Sequence, residues 1–162
     1  MRVIYFLQLI LISLLLGTGF YLEATTGLIP CPLCILQRVV FGLLGIWFLL
    51  GAVFGHRRLF RLIVNVCIAL SASLGILLAG RQVYLQHVAN PNQAECGASL
   101  QYMLQVLPLQ EVAQHVLSGG TECAKRNWIF LSLDMAEWAL LFFAAFFLFA
   151  IYLFCKDLCA KR

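Results

Sequence analysis

The sequence predicts an all-α, polytopic membrane protein: a four-transmembrane-helix bundle with a long extracytoplasmic loop between helices three and four. Three observations predict it. Of 162 residues, 63% are hydrophobic and only 11% charged, where a soluble domain carries about 25% charged residues, so a globular surface could not be solvated. Four stretches stay apolar for about 20 residues each, the length that crosses roughly 30 Å of hydrocarbon at about 1.5 Å per residue. A single long polar segment, residues 81–134, lies between the third and the fourth. The whole chain is read as one membrane domain, 1–162.

The first span, about 3–22, is interrupted only by uncharged residues such as Gln8, Ser13 and Thr18. A cleaved signal peptide is the rival reading, but its apolar core would be shorter, about 7–15 residues. A short outer loop, about 23–33, follows, with Glu23 expected at the interface. The second span, about 34–54, ends at Gly55-His56-Arg57-Arg58, and the third, about 62–80, lies between Arg61 and Arg81. The fourth, about 135–154, opens with Asp134 and, three residues on, Glu137. That spacing is a capping box and predicts a helix starting near Met135.

Within the polar segment, Ala98 to Leu117 reads as an amphipathic helix broken at Pro108. Leu100, Met103, Leu104 and Leu107 line one stripe, and Ser118-Gly119-Gly120 stops it. Trp128-Ile129-Phe130-Leu131 is too short to span and reads as interfacial, with Trp128 and Trp138 at headgroup level.

Orientation follows from the basic residues. Arg2, the Arg57/Arg58/Arg61 loop and Lys156, Lys161 and Arg162 fall on one side; Lys125 and Arg126 fall on the other, with Arg81 at its border. The first side is therefore expected to be cytoplasmic and to hold both termini. The formal net charge of +4 is modest. No basic run extends beyond Arg57-Arg58 and no nucleic-acid motif is present, so no nucleic-acid partner is expected.

This topology sorts the seven cysteines. Cys31, Cys34, Cys96 and Cys123 share the outer face, Cys155 and Cys159 face the cytoplasm, and Cys67 lies within span three. Cys31 and Cys34 stand in C-x-x-C spacing at the start of span two. Pro32 suits the first helical position, because its missing N–H costs nothing there, and Cys31 then falls near the N-cap, where free N–H groups and the helix dipole favour an anion. Thiolate is the reactive form of cysteine. Arg38 follows Cys34 by four residues and Cys31 by seven, which places all three on one helix face. A guanidinium one turn into the membrane calls for an anionic or strongly accepting partner; a thiolate or the oxygens of a redox cofactor would serve.

Cys96 and Cys123 flank the amphipathic segment. In an oxidising compartment they would bridge, as a loop staple or as a second pair exchanging with Cys31 and Cys34 through mixed disulfides. A zinc site built from all four cysteines is the competing reading, although Cys96 and Cys123 lack C-x-x-C spacing of their own; no metal is expected. Four cysteines allow three pairings, and spacing does not choose among them. Cys67 reads as bundle packing, Cys155 and Cys159 as reduced thiols. His56 and His115 read as solvated, and His87 as an interfacial residue or a donor to the ligand that meets Arg38.

Pro-Cys-x-x-Cys-x-x-x-Arg opening span two, Arg81 to His87 closing span three, and Glu122-Cys123-Ala124-x-x-x-Trp128-x-Phe130-Leu131 before Met135-x-x-Trp138 together resemble the DsbB family, the bacterial inner-membrane disulfide bond formation proteins. The resemblance covers essentially the whole chain. It implies a thiol:quinone oxidoreductase of the bacterial inner membrane that reoxidises a DsbA-like periplasmic thiol oxidase and passes electrons to the membrane quinone pool. The quinone it implies is ubiquinone, with menaquinone the alternative. On it, Cys96 and Cys123 exchange with the partner, and Cys96 forms the mixed disulfide. Cys31 and Cys34 reoxidise the loop pair, and Cys34 is the thiolate that meets the quinone ring. Arg38 holds a quinone oxygen, and His87 matches a histidine near the quinone. Gln37 stands where a relative carries glutamate and Ala136 where it carries proline. Three rivals remain: a specialised paralogue with another thiol partner; a reductase of vitamin-K-epoxide type, disfavoured because here the C-x-x-C opens span two; and a non-enzymatic scaffold with structural bridges or zinc.

Overall fold

The computed structural model describes residues 2–27, 31–87, 129–130 and 133–159. Cys96, Cys123, the expected amphipathic helix at 98–117 and Trp128 lie outside the described residues. Four long helices dominate: α1 (Arg2–Thr26), α2 (Pro32–Phe54), α3 (Arg58–His87) and α4 (Met135–Cys159). All four are long and apolar enough to cross a membrane.

Each helix end has a local cause. Gly27 ends α1: its φ of 63° is the left-handed conformation that glycine adopts without steric cost, and its N–H donates to the Glu23 carbonyl at 3.0 Å. Pro32 occupies the first turn of α2 and Cys31 is its N-cap, as the sequence predicts. At α4 the capping box is complete. Asp134 Oδ1 accepts from the N–H groups of Ala136 at 2.9 Å and Glu137 at 3.1 Å, and Glu137 Oε2 accepts from Asp134 N–H at 2.8 Å. Just before it, β1 (Ile129–Phe130) pairs antiparallel with β2 (Leu133–Asp134), Ile129 opposite Asp134. The helix around the third span outruns its apolar stretch at both ends. It starts at Arg58 and continues through Arg81 to His87, so Arg81–His87 is a helical turn and more beyond the apolar core rather than loop.

Hydrocarbon gives helices no hydrophobic reason to associate, so close fit has to hold a membrane bundle together. Helix α3 supplies small residues on one face, with Ala72, Gly75 and Ala79 all buried. The ring of Phe143 on α4 lies where a Cβ on Gly75 would stand. Phe143 also stacks on Phe41 of α2 with ring centroids 4.1 Å apart and an 18° interplanar angle. Phe146 meets Phe48 at 5.7 Å, and Phe48 meets Tyr5 of α1 at 6.2 Å. Outward, Leu70, Leu77 and Leu148 are each about two-thirds exposed, an apolar perimeter that only lipid would accommodate.

At the end of the bundle away from Cys31, polar groups bind three helices together. Asp157 of α4 is 1% exposed and receives Arg61 of α3 through Nη2 at 2.8 Å and Nε at 3.2 Å. Arg61 Nη1 also donates to the Gly55 carbonyl at 3.2 Å. Asn65 donates to Asp157 Oδ2 at 3.4 Å and accepts from the Tyr5 hydroxyl of α1 at 2.8 Å. Each buried polar atom in this chain of contacts therefore finds a partner, as burial requires.

Candidate redox site

Cys31 and Cys34 meet because of how α2 begins. The N-cap position turns the Cys31 side chain back over the first turn, where Sγ accepts from the Cys34 N–H at 3.2 Å. Three residues on, Cys34 points along the same face, and its Sγ lies 2.7 Å from that of Cys31. Small movement closes such a pair to the roughly 2.05 Å of a disulfide. Cys31 is buried and Cys34 half-buried, at the end of the bundle where α1 ends and α4 begins.

Two glutamines complete the surroundings, and the sequence patterns did not single out either for this role. Gln82 of α3 is 4% exposed and Gln37 of α2 5%. Gln82 Nε2 lies 3.2 Å from Cys34 Sγ and 3.5 Å from Cys31 Sγ. Its Oε1 accepts from Gln37 Nε2 at 2.8 Å and lies 3.7 Å from Cys34 Sγ. The local signal was absent because Gln82 sits 45 residues from Gln37, in a stretch where apolar periodicity fades.

Arg38, one turn further into α2, has a partner that differs from expectation. Glu23 of α1, expected only at the interface, forms an ion pair with Arg38 Nη1. Nη2 donates to the Gly19 carbonyl at 3.2 Å, and the guanidinium stands over the Phe20 ring, 4.8 Å from its centroid. The anion that a membrane-embedded arginine needs thus comes from the last turns of α1. Arg38 remains 20% exposed and Glu23 33%, so the group is open to one side. The guanidinium N–H donors left over from Glu23 and Gly19, beside an exposed aromatic ring, suit a flat ligand with carbonyl oxygens.

His87, the last residue of α3, is 43% exposed, and its Nε2 lies 2.9 Å from Glu137 Oε1. The same glutamate caps α4 through its other oxygen, so His87 joins the end of α3 to the start of α4. Cys67 is half-buried and Cys155 and Cys159 are exposed, apart from this site. Among the described residues no group of three or more His, Cys, Asp or Glu side chains could hold a metal ion.

A bundle of membrane-spanning length carrying a C-x-x-C pair at the start of a helix, an arginine one turn further along it and a buried carboxamide against the sulfurs defines the class: a multi-pass membrane protein with a dithiol centre. The family model "Disulfide bond formation protein DsbB" matches residues 1–153. "Disulfide bond formation protein B 1" of Pseudomonas aeruginosa is 39% identical over 155 residues, covering 96% of this chain and 95% of the relative. The Stutzerimonas stutzeri protein is 39% identical over 131 residues, 81% of this chain and 80% of the relative. That of Hahella chejuensis is 37% identical over 145 residues, covering 90% and 88%. The chain belongs to the DsbB family, and its general role is disulfide bond formation.

Proposed function

We propose that this protein is a thiol:quinone oxidoreductase of the bacterial inner membrane, with both termini cytoplasmic, that reoxidises a DsbA-like periplasmic dithiol oxidase. The observation that carries the reading is the Cys31/Cys34 pair at the start of α2 with Arg38 one turn below it on the same helix. Such chemistry has a place in the bacterial cell, whose periplasm is held oxidising kinetically by a DsbA–DsbB–quinone relay.

The relay moves two electrons and two protons at each stage. A thiolate of the partner attacks the Cys96–Cys123 disulfide at Cys96, and Cys123 leaves as thiolate. The partner's second thiol displaces Cys96, so the partner departs oxidised and the loop pair is left as a dithiol. A loop thiolate then attacks the Cys31–Cys34 disulfide, and resolution by the second loop thiol restores the loop bridge and leaves Cys31 and Cys34 reduced. When Cys31 and Cys34 close again, their two electrons and two protons need an acceptor, which a quinone held by Arg38 and His87 would supply. Arg38 directs N–H donors at an oxygen on which negative charge grows, the logic of an oxyanion site. Glu23 and the Gly19 carbonyl keep the guanidinium in place, and His87 stands at the outer edge as a second donor. Ubiquinone is the expected acceptor and menaquinone the alternative.

The test is turnover of the purified protein with a reduced DsbA-like partner and ubiquinone, followed by the loss of quinone absorbance. Cys34→Ser and Cys96→Ser should each abolish it. Arg38→Met should raise the apparent KM for quinone more than that for the thiol partner. Absence of turnover by the unsubstituted protein would sink the proposal, and stoichiometric zinc would favour a structural role instead.

A further inference from the structure

Gln82 lies against both sulfurs of the site, yet the relay as described assigns it no part. Burying a carboxamide is costly unless its polar atoms are bonded, and a neutral thiol is only a weak acceptor. An apolar side chain would serve mere packing better at this position. The arrangement becomes favourable when a sulfur carries negative charge, because hydrogen bonds to an ionised partner are roughly twice as strong as neutral ones. Which face of the amide meets the sulfurs is decided from α2. Gln37 donates to Gln82 Oε1 at 2.8 Å, which leaves Nε2 facing Cys34 at 3.2 Å and Cys31 at 3.5 Å.

We propose that Gln82 is a catalytic residue whose side-chain N–H stabilises the reduced, anionic sulfur of the Cys31/Cys34 pair, and that Gln37 is a positioning residue holding that N–H toward it. A disulfide has no anionic sulfur, so this donor favours the dithiol over the bridge. The pair gains oxidising power: it accepts two electrons and one proton from the loop dithiol more readily, the second proton passes to solvent, and that dithiol becomes the bridge. The benefit to turnover rests on the relay proposed above. The redox bias itself does not.

The experiment is therefore a redox titration without quinone or protein partner. Full-length protein carrying Cys96→Ser and Cys123→Ser is stripped of quinone and equilibrated in glutathione buffers of graded ratio. The dithiol fraction is read from the mass added by a maleimide. Gln82→Met, which keeps the length of the side chain and removes the donor, should shift the equilibrium about tenfold toward the disulfide, which is about 30 mV for a two-electron couple. Gln82→Glu should shift it the same way and further. Gln37→Glu supplies an acceptor in place of the donor, so it turns the Gln82 carbonyl to the sulfurs and should also favour the disulfide. This last change keeps size and helix propensity, and it reports even where a substitution at the more buried position prevents folding. An unchanged equilibrium in Gln82→Met or Gln37→Glu, or a shift toward the dithiol in either, overturns the proposal. Loss of quinone turnover by the unsubstituted protein with these shifts intact would overturn the relay and leave the glutamine pair standing.

Discussion

Asp157→Ala removes the acceptor on which one end of the bundle converges. Asp157 is 1% exposed and receives two nitrogens of Arg61, at 2.8 and 3.2 Å, and the amide of Asn65 at 3.4 Å. Removing one member of a buried ion pair costs about 3–5 kcal/mol, mostly because the other charge is left without compensation. The Arg61 side chain is 20% exposed and keeps the Gly55 carbonyl, so partial solvation places the expected cost at the lower end, about 3 kcal/mol. Arg61→Leu strands the more deeply buried carboxylate and should cost at least as much. Asp157→Leu combined with Arg61→Leu leaves no stranded charge, and its cost should fall below the sum of the two single changes by about 2 kcal/mol. Titration of the full-length protein from mild detergent into dodecyl sulfate, followed by helical ellipticity, measures all three. Additive single costs, or a cost below about 1 kcal/mol for Asp157→Ala, would refute the reasoning and reduce the contact to a weak surface pair.

Gly75→Leu places a side chain where the Phe143 ring stands; overpacking of this kind costs about 1–3 kcal/mol, and Phe143→Ala in the same chain should recover part of the loss in the same titration. Asp134→Ala removes the cap of α4 and should cost about 1 kcal/mol, whereas Asp134→Asn or Asp134→Ser should recover most of it. A thiol reagent unable to cross the inner membrane should label reduced Cys96 in intact spheroplasts but not Cys155; labelling of Cys155 would reverse the proposed orientation.

Local rules made the helix starts legible. Asp134 with Glu137, and Cys31 with Pro32, are short-range signals whose hydrogen bonds run along the same stretch of chain, so reading the residues in order sufficed. The helical continuation from Arg81 to His87 was harder to see, because hydropathy marks where lipid ends and not where a helix ends. Glu23 and Gln82 were least legible. Each looks like an ordinary polar residue near a membrane surface, and its role depends on what an adjoining helix brings to it: Arg38 in one case, the two sulfurs and Gln37 in the other. Binary patterning reports which face of a helix is buried, but not which buried polar groups face one another.

Glu137 bears on more than the start of α4. With one oxygen on Asp134 N–H and the other on His87, it fastens the last residue of α3 to the first turn of α4. The end of α3 and the start of α4 therefore stand side by side. Cys96 follows His87 by nine positions in sequence, a covalent reach of at most about 30 Å. Gln82, which touches Cys34, is five positions before His87, only about 7.5 Å of helix. Confinement on that scale corresponds to an effective concentration in the millimolar range, so in the proposed relay the two cysteine pairs meet as neighbours on one tether, at a rate indifferent to how sparsely the protein is spread through its membrane.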